Sequence, residues 1–304
     1  MLTSVHEIIA EQGRFPQDLI QWFAMKLRTL TALAALSALP AFAQLVAPNA
    51  SGVTMGHVHL AVKDVQAQKH FWIEMMGGTA VKNGPLELIQ FPGVFIMLRQ
   101  ADPSGPPAGS IVDHFGFVVK DMPGSIAKWK ANGLVVEQTG TNPNQSYVTA
   151  PDGIRLEVFG DPKLPVPVEM NHIHFFPPKQ EIPAMQAWYA KNFGGVVGKR
   201  ESVARPGNWM DCDDLPGVNL SMSASDSRRA ATAGRSIDHI GFEVTNLDAF
   251  VKKLEGQGIK MDAAPRDIPN TKTKVAFLTD PWGTRIELTE NLSPSGTPQS
   301  SASR

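Results

Sequence analysis

Apolar and polar positions alternate in short runs along most of the chain, and one such run recurs four times. Gly56-His57-Val58-His59-Leu60, Asp113-His114-Phe115-Gly116-Phe117, Asn171-His172-Ile173-His174-Phe175 and Asp238-His239-Ile240-Gly241-Phe242 each set a histidine in an apolar, β-branched or aromatic stretch. That is the pattern of a strand. The histidines follow one another at intervals of 57, 58 and 67 residues, a period that points to an internal repeat of four modules.

Later features sort the modules into two kinds. Modules one and three share Phe71-Trp72 before Gly77-Gly78 and Trp188-Tyr189 before Gly194-Gly195. They also share Phe91-Pro92-Gly93-Val94 and Leu215-Pro216-Gly217-Val218. Modules two and four share Ala150-Pro151-x-Gly153-x-Arg155-x-Glu157 and Asp280-Pro281-x-Gly283-x-Arg285-x-Glu287. The order is therefore A-B-A′-B′. Each module reads as a strand, a helix and further strands. Helical spacing covers 67–76, 125–132, 184–192 and 247–257, each ending at or near a glycine that suits a C-cap. Segments 149–159 and 278–289 place a Pro/Gly turn between apolar strands. The proline-rich 161–168 falls between the halves and reads as a linker, dividing a first paired-module domain at 53–162 from a second at 168–292.

The ends have a different texture. Met25 to Arg28 is basic, residues 30–39 are apolar, and Ala41-Phe42-Ala43 offers a small-residue cleavage site. This order predicts a secretory signal peptide over 25–43, with residues 1–24 an upstream extension and a periplasmic or secreted protein as the product. The apolar run is shorter than the ~20 residues of a membrane span. Residues 293–304, rich in Ser and Pro, read as a disordered tail.

Composition narrows the field. The chain has 304 residues, 42% of them hydrophobic and 19% charged, enough for packed cores and about two domains. With 28 Lys+Arg against 29 Asp+Glu, no basic field attracts nucleic acid. The expected partner is a small molecule, with no nucleic acid and no membrane after signal cleavage. A monomer suffices, since four modules complete two sites within one chain. The single cysteine, Cys212, excludes an internal disulfide framework. With Asp211, Asp213 and Asp214 it reads as an acidic, solvated turn.

The chemistry sits on the repeated strands. Residues two apart on a strand share a face, so His57 points with His59 and His172 with His174. His114 and His239 instead have Gly116 and Gly241 two along, which leaves room in the cavity. Glu157 and Glu287 lie in apolar strands, where a carboxylate is costly unless paired or metal-bound. Two histidines and one glutamate suit a divalent metal with open coordination positions. Each half holds one such set: His57, His114, Glu157 and His172, His239, Glu287. Pairing of modules one with four and two with three also gives each site two histidines and a glutamate. His59 and His174, one same-face step along the strand at about 6.5–7 Å, are candidates for substrate contact or acid/base work. Arg155 and Arg285 are candidates for holding an anionic substrate group, against the simpler reading that they pair with surface acids.

On D-H-x-G-F at His114 and His239, the Phe71-Trp72…Gly77-Gly78 and Trp188-Tyr189…Gly194-Gly195 helix ends, and the closing strand from Asp280 to Glu287, the chain resembles the vicinal oxygen chelate superfamily. That superfamily groups glyoxalase I, extradiol dioxygenases and the fosfomycin and bleomycin resistance proteins. The resemblance spans about 53–292. It implies an α+β fold of four βαβββ modules paired into two incomplete β-barrels, each around a metal. The family's further glutamate or glutamine ligand falls near Met97 and Ser221, so the remaining set resembles the Fe(II) dioxygenase branch. The tyrosine before the closing turn of that branch is matched by Tyr147 but replaced by Phe277 in the second half. The upstream histidine of that branch is missing from both halves.

The resemblance implies a metal-dependent enzyme acting on a small oxygenated molecule. An Fe(II)-dependent extradiol-type dioxygenase is favoured, with Zn, Ni or Mn the other metals. The alternatives are a glyoxalase-type lyase or isomerase and a non-catalytic binding or resistance protein.

Overall fold

The structure is a computed structural model that describes residues 45–138 and 141–294. The expected upstream extension, the signal peptide and nearly all of the tail lie outside the described residues.

Each of the four repeats forms a βαβββ module. The first comprises β1 (Val53–Val62), α1 (Val65–Lys69) running on as a π-helical stretch His70–Met75, β2 (Thr79–Asn83), β3 (Leu86–Phe91) and β4 (Val94–Gln100). The second comprises β5 (Val112–Val119), α2 (Met122–Ala131), β6 (Val135–Glu137), β7 (Gln145–Thr149) and β8 (Arg155–Gly160). The third comprises β9 (Val168–Phe175), α3 (Ile182–Phe193), β10 (Val196–Glu201), β11 (Trp209–Leu215) and β12 (Val218–Met222). The fourth comprises β13 (Ile237–Val244), α4 (Leu247–Gly256), β14 (Met261–Asp267), β15 (Lys274–Thr279) and β16 (Arg285–Glu290).

Helices α1 and α2 start a little earlier than hydrophobic spacing alone suggests, because polar caps precede the first apolar contact. Asp64 accepts hydrogen bonds from the Gln66 and Ala67 amides, and Asp121 accepts from Gly124. Such caps satisfy amides that the first helical turn leaves unpaired. At its other end α3 stops where Gly194 takes φ +74°, a left-handed conformation that glycine adopts without a Cβ penalty.

The strands form two open eight-stranded sheets. One runs β14-β15-β16-β13-β1-β4-β3-β2 and the other β10-β11-β12-β9-β5-β8-β7-β6. The mixed α+β class and the paired modules agree with the expected fold, as open sheets rather than closed barrels. Module one thus joins module four through the antiparallel pair β1/β13, and module two joins module three through β5/β9. The division at 53–162 and 168–292 is accordingly not the division between the sheets. The 161–168 segment connects two neighbouring modules of one sheet, and its Leu164 and Val166 are buried. It is a packed turn and not a linker between domains.

Strand alternation separates two faces. On β5, Phe115 and Phe117 point into the core while His114 and Gly116 point the other way. Trp72, on the helical stretch of the first module, stacks on Phe115 with centroids 5.8 Å apart, and Phe193 of α3 packs on Phe242 of β13 at 5.0 Å. Helices of one sheet therefore cover the apolar face of the other. The histidine faces look away from that shared core.

The acidic segment around Cys212 is strand and not turn. Cys212 and Asp213 are buried on β11. Burial pushes the Cys212 thiol above its usual pKa, the reverse of what a reactive cysteine needs.

Candidate metal centres

Cross-strand register assembles two equivalent clusters. In the first, His57 faces Gly241 and His59 faces His239 across β1/β13, while Glu287 on β16 lies beside Gly241. In the second, His172 faces Gly116 and His174 faces His114 across β9/β5, with Glu157 on β8 beside Gly116. The two glycines have a definite task. A Cβ on Gly241 would run into the His57 imidazole, and a Cβ on Gly116 into that of His172. The space expected from these glycines is filled by the candidate ligands themselves.

The potential ligand atoms of His57, His59, His239 and Glu287 lie within 4.8 Å of one another, and so do those of His114, Glu157, His172 and His174. Glu287 Oε2 is 3.0 Å from His57 Nε2 and 2.8 Å from His239 Nε2. Glu157 Oε2 is 3.3 Å from His172 Nε2 and 3.5 Å from His114 Nε2. Its other oxygen accepts a 2.9 Å bond from Gln145. The sets expected within each half, His57-His114-Glu157 and His172-His239-Glu287, do not form. Modules pair one with four and two with three, so the histidines are exchanged between the halves while all six expected ligand residues fall in the two clusters.

His59 and His174 join the clusters as further potential ligands. The distance along the strand had set them one step apart from the metal position. Their direct cross-strand pairing with His239 and His114 brings them back, with ring centroids at 4.5 Å and 4.6 Å. Both ring nitrogens of His59 are buried without a hydrogen-bond partner. His174 is more committed, with Nδ1 3.1 Å from His114 Nε2 and Nε2 2.8 Å from Ser223 Oγ.

Residues behind the rings orient them. His239 Nδ1 lies 2.6 Å from Asp238 and His114 Nδ1 3.0 Å from Asp113. Arg285 donates to Asp238 at 3.0 Å and Arg229 to Asp113 at 2.7 Å. His172 Nδ1 meets Asn171 Oδ1 at 2.9 Å. These contacts occupy Nδ1 and leave Nε2 for the cluster, the usual arrangement around a ligating imidazole. The aspartate of D-H-x-G-F was visible in the sequence. Its role was not, because adjacent strand residues nominally face opposite sides.

Electrostatics follow from this crowding. Burial alone would raise the Glu157 pKa, but His114 and His172 outweigh it and hold the carboxyl well below the usual carboxylate range. Glu287 is held low in the same way by His239 and His57. Burial, with the charge of Arg200 nearby, pushes His172 down to about 3, and burial also lowers His59 and His174. Against the lowering by burial, Asp113 and Glu157 raise His114, and Asp238 and Glu287 raise His239. A divalent metal requires anionic glutamate and neutral imidazole, the state favoured at Glu157, Glu287, His59, His172 and His174. Together with the unpartnered nitrogens of His59, the nitrogen-rich donor set fits such an ion.

The remaining expected residues divide. Tyr147 lies on β7 opposite Glu157, its ring 5.5 Å from that of His114. Burial and the Glu157 charge raise its pKa, so it stays a phenol. Phe277 holds the equivalent place opposite Glu287. Arg155 is engaged elsewhere, with its guanidinium stacked 3.6 Å from the Tyr147 ring centroid and 3.3 Å from Glu137. Arg285 is used to hold Asp238. The structure therefore commits both arginines to protein partners rather than to a substrate.

The second cluster borders a cavity of about 350 Å³ lined by Tyr147, Glu157, His174, Arg200, Met210 and Ser223 among others. The volume is in the range of small-molecule sites. In the sequence Arg200 is inconspicuous, because Lys199-Arg200-Glu201 looks like a solvated charge run.

Comparison with known proteins agrees with this architecture. Residues 171–288 match the model of the Glyoxalase/Bleomycin resistance protein/Dioxygenase superfamily. Glyoxalase I from Zea mays superposes with a TM-score of 0.63 at 16% identity, covering 79% of this chain and 92% of that one. A provisionally assigned dioxygenase from Bacillus subtilis subsp. subtilis str. 168 superposes with a TM-score of 0.57 at 13% identity, covering 79% and 86%. No curated protein matches the sequence. The family match over 171–288 and the paired βαβββ modules agree with the resemblance read from the motifs.

Proposed function

We propose that the protein is a metal-dependent enzyme that acts on a small oxygenated molecule, and that the reaction is an oxidation by dioxygen of the extradiol type. The observation that carries this reading is the donor set beside the cavity. Each cluster holds a single carboxylate among three imidazoles. A glyoxalase-type proton transfer calls for a carboxylate base near the metal in addition to the carboxylate that binds it. The clusters have none to spare.

His114, His172 and Glu157 would hold the metal, with Fe(II) favoured over Zn, Ni or Mn, and His174 is the adjacent imidazole. When bound, Fe(II) would supply a Lewis-acidic, redox-active face on which two adjacent substrate oxygens chelate and dioxygen reacts. The chain's own residues prepare that face. Asp113, held by Arg229, and Asn171 fix the ring orientations of His114 and His172. Tyr147, kept as a phenol beside Glu157, is placed to donate a hydrogen bond to substrate oxygen. His174, tied to Ser223, is the candidate to accept a substrate proton.

We further infer that the enzyme works after export. The basic, apolar and small-residue order of residues 25–43 supports this, and an intact mass of the secreted protein beginning at Gln44 tests it.

Elemental analysis of native protein and an oxygen electrode test the reaction. Iron, with oxygen uptake that depends on an added catechol and is lost in Glu157→Gln, is expected. Zn, Ni or Mn without oxygen uptake would favour a lyase or isomerase instead. Protein that retains no metal would favour a binding module.

A further inference from the structure

The internal duplication supplies a built-in comparison. Aligning the paired glycines that follow the helices of modules one and three sets Arg200 of β10 against Asn83 of β2. Aligning the Pro-Gly-Val turns sets Asn219, Ser221 and Ser223 against Phe95, Met97 and Arg99. Tyr147 stands against Phe277. Around the second cluster these positions are mostly polar. Around the first they are mostly apolar or engaged elsewhere.

Asn83 is the engaged position on the side of the first cluster. Asn83 donates to the carbonyls of Asn291 and Leu292 at 3.2 Å and 2.9 Å and to Thr273 Oγ1 at 3.0 Å. Leu292, 1% exposed, packs with Leu88 and Phe95, and Leu45 and Met97 lie against them. Phe95 and Met97 are the β4 neighbours of His57 and His59. Leu292 and Phe95 therefore pack beside His57 of the first cluster, held there by the asparagine that stands in the place of Arg200.

At the second cluster Arg200 is half-buried and lines the cavity with Glu157 and His174. Its Nη1 donates to Asn171 Oδ1 at 3.1 Å, the same oxygen that meets His172 Nδ1. Its Nε is buried without a partner. Among the described residues no carboxylate pairs with it. The Nε–Nη2 edge of a guanidinium is one of the two that grip a carboxylate with parallel hydrogen bonds. A buried donor left unpaired is costly, and an unpaired charge more so. An occupant that restores both bonds recovers that cost.

We propose that the substrate taken at the second cluster carries a carboxylate, received by the Nε–Nη2 edge of Arg200. This rests on the reading of the second cluster as a metal site for adjacent oxygens and adds to it the second recognition element of the substrate. Arg205, exposed at the rim of the same cavity, adds positive charge along the approach.

Calorimetry on the full-length protein, loaded with Zn so that no turnover occurs, tests this with catechol, 3,4-dihydroxybenzoate and benzoate. The expected result is roughly 10- to 100-fold tighter binding of 3,4-dihydroxybenzoate than of catechol. Arg200→Gln is expected to erase that preference, with the bound Zn measured alongside, while Arg200→Lys retains part of it. Equal affinities in the wild type, persistence of the preference in Arg200→Gln, or no binding of any probe would each overturn the proposal. If Arg200→Gln fails to fold, the wild-type preference and the Arg200→Lys variant decide. Benzoate lacks the adjacent oxygens and separates the two readings. Benzoate binding that depends on Arg200, without catechol binding, keeps the carboxylate site and removes the chelating metal reading. Catechol binding with no carboxylate preference does the opposite.

Discussion

Gly241 and His57 occupy one space between them: the imidazole of His57 fills the volume that a side chain on Gly241 would take. Gly116 and His172 stand in the same relation. Each glycine faces its histidine directly across the antiparallel pair, so the backbone of one module forms the seat for a ligand from another. Gly116→Ala is expected to displace His172 and abolish metal binding at the second cluster. Overpacking costs typically 1–3 kcal/mol, which leaves a folded protein. Metal content and a thermal melt check it together. A variant that keeps full metal content would show that the seat is not needed.

Asp238 holds His239 at 2.6 Å and is itself held by Arg285. Loss of such an orienting contact typically weakens metal affinity 10- to 100-fold. Asp238→Asn is expected to fall in that range at the first cluster and to leave the second unaffected. Competition with a chelator for the bound metal reads the difference.

Much of this was legible in the sequence. The four-fold recurrence of the histidine strand, the alternation of module types and the two closing-strand glutamates gave the modules and the six residues that gather in the clusters. Module pairing was not legible. It depends on which first strands meet across the antiparallel seams, and the repeat makes both schemes equally consistent with local pattern. Spacing along one strand sets His59 and His174 too far from the metal position. Direct pairing across two strands, which sets facing residues ~4.5–5.5 Å apart, decides their position. Arg200 was hidden because a charge beside Lys199 and Glu201 carries no sign of burial. Arg155 and Arg285 drew attention by repeating, yet their charges are spent on Glu137 and Asp238.

Asp213 governs a pH dependence separate from the clusters. It is fully buried on β11, and neither carboxyl oxygen has a hydrogen-bond partner. Burial, helped by the Asp214 charge, pushes its pKa up to about 7. The unfolded chain ionises it near 3.9. Between about pH 4 and pH 7 the native state therefore holds a proton that the unfolded state has lost, and stability falls as pH rises through that window. Above pH 7 the penalty is complete, at most roughly 4 kcal/mol for three pKa units. Asp213→Asn is expected to melt higher than wild type at pH 8 and close to it at pH 4. Parallel melting curves across that range would refute the assignment.

The pairing of modules one with four and two with three is tested most directly by metal stoichiometry in double variants. Wild type is expected to hold two equivalents of divalent metal per chain. His57→Ala combined with His239→Ala removes one site twice over and leaves one equivalent. His57→Ala combined with His114→Ala removes both sites and leaves none. The reverse result, none in the first double variant and one in the second, would contradict the exchange of ligands between the halves.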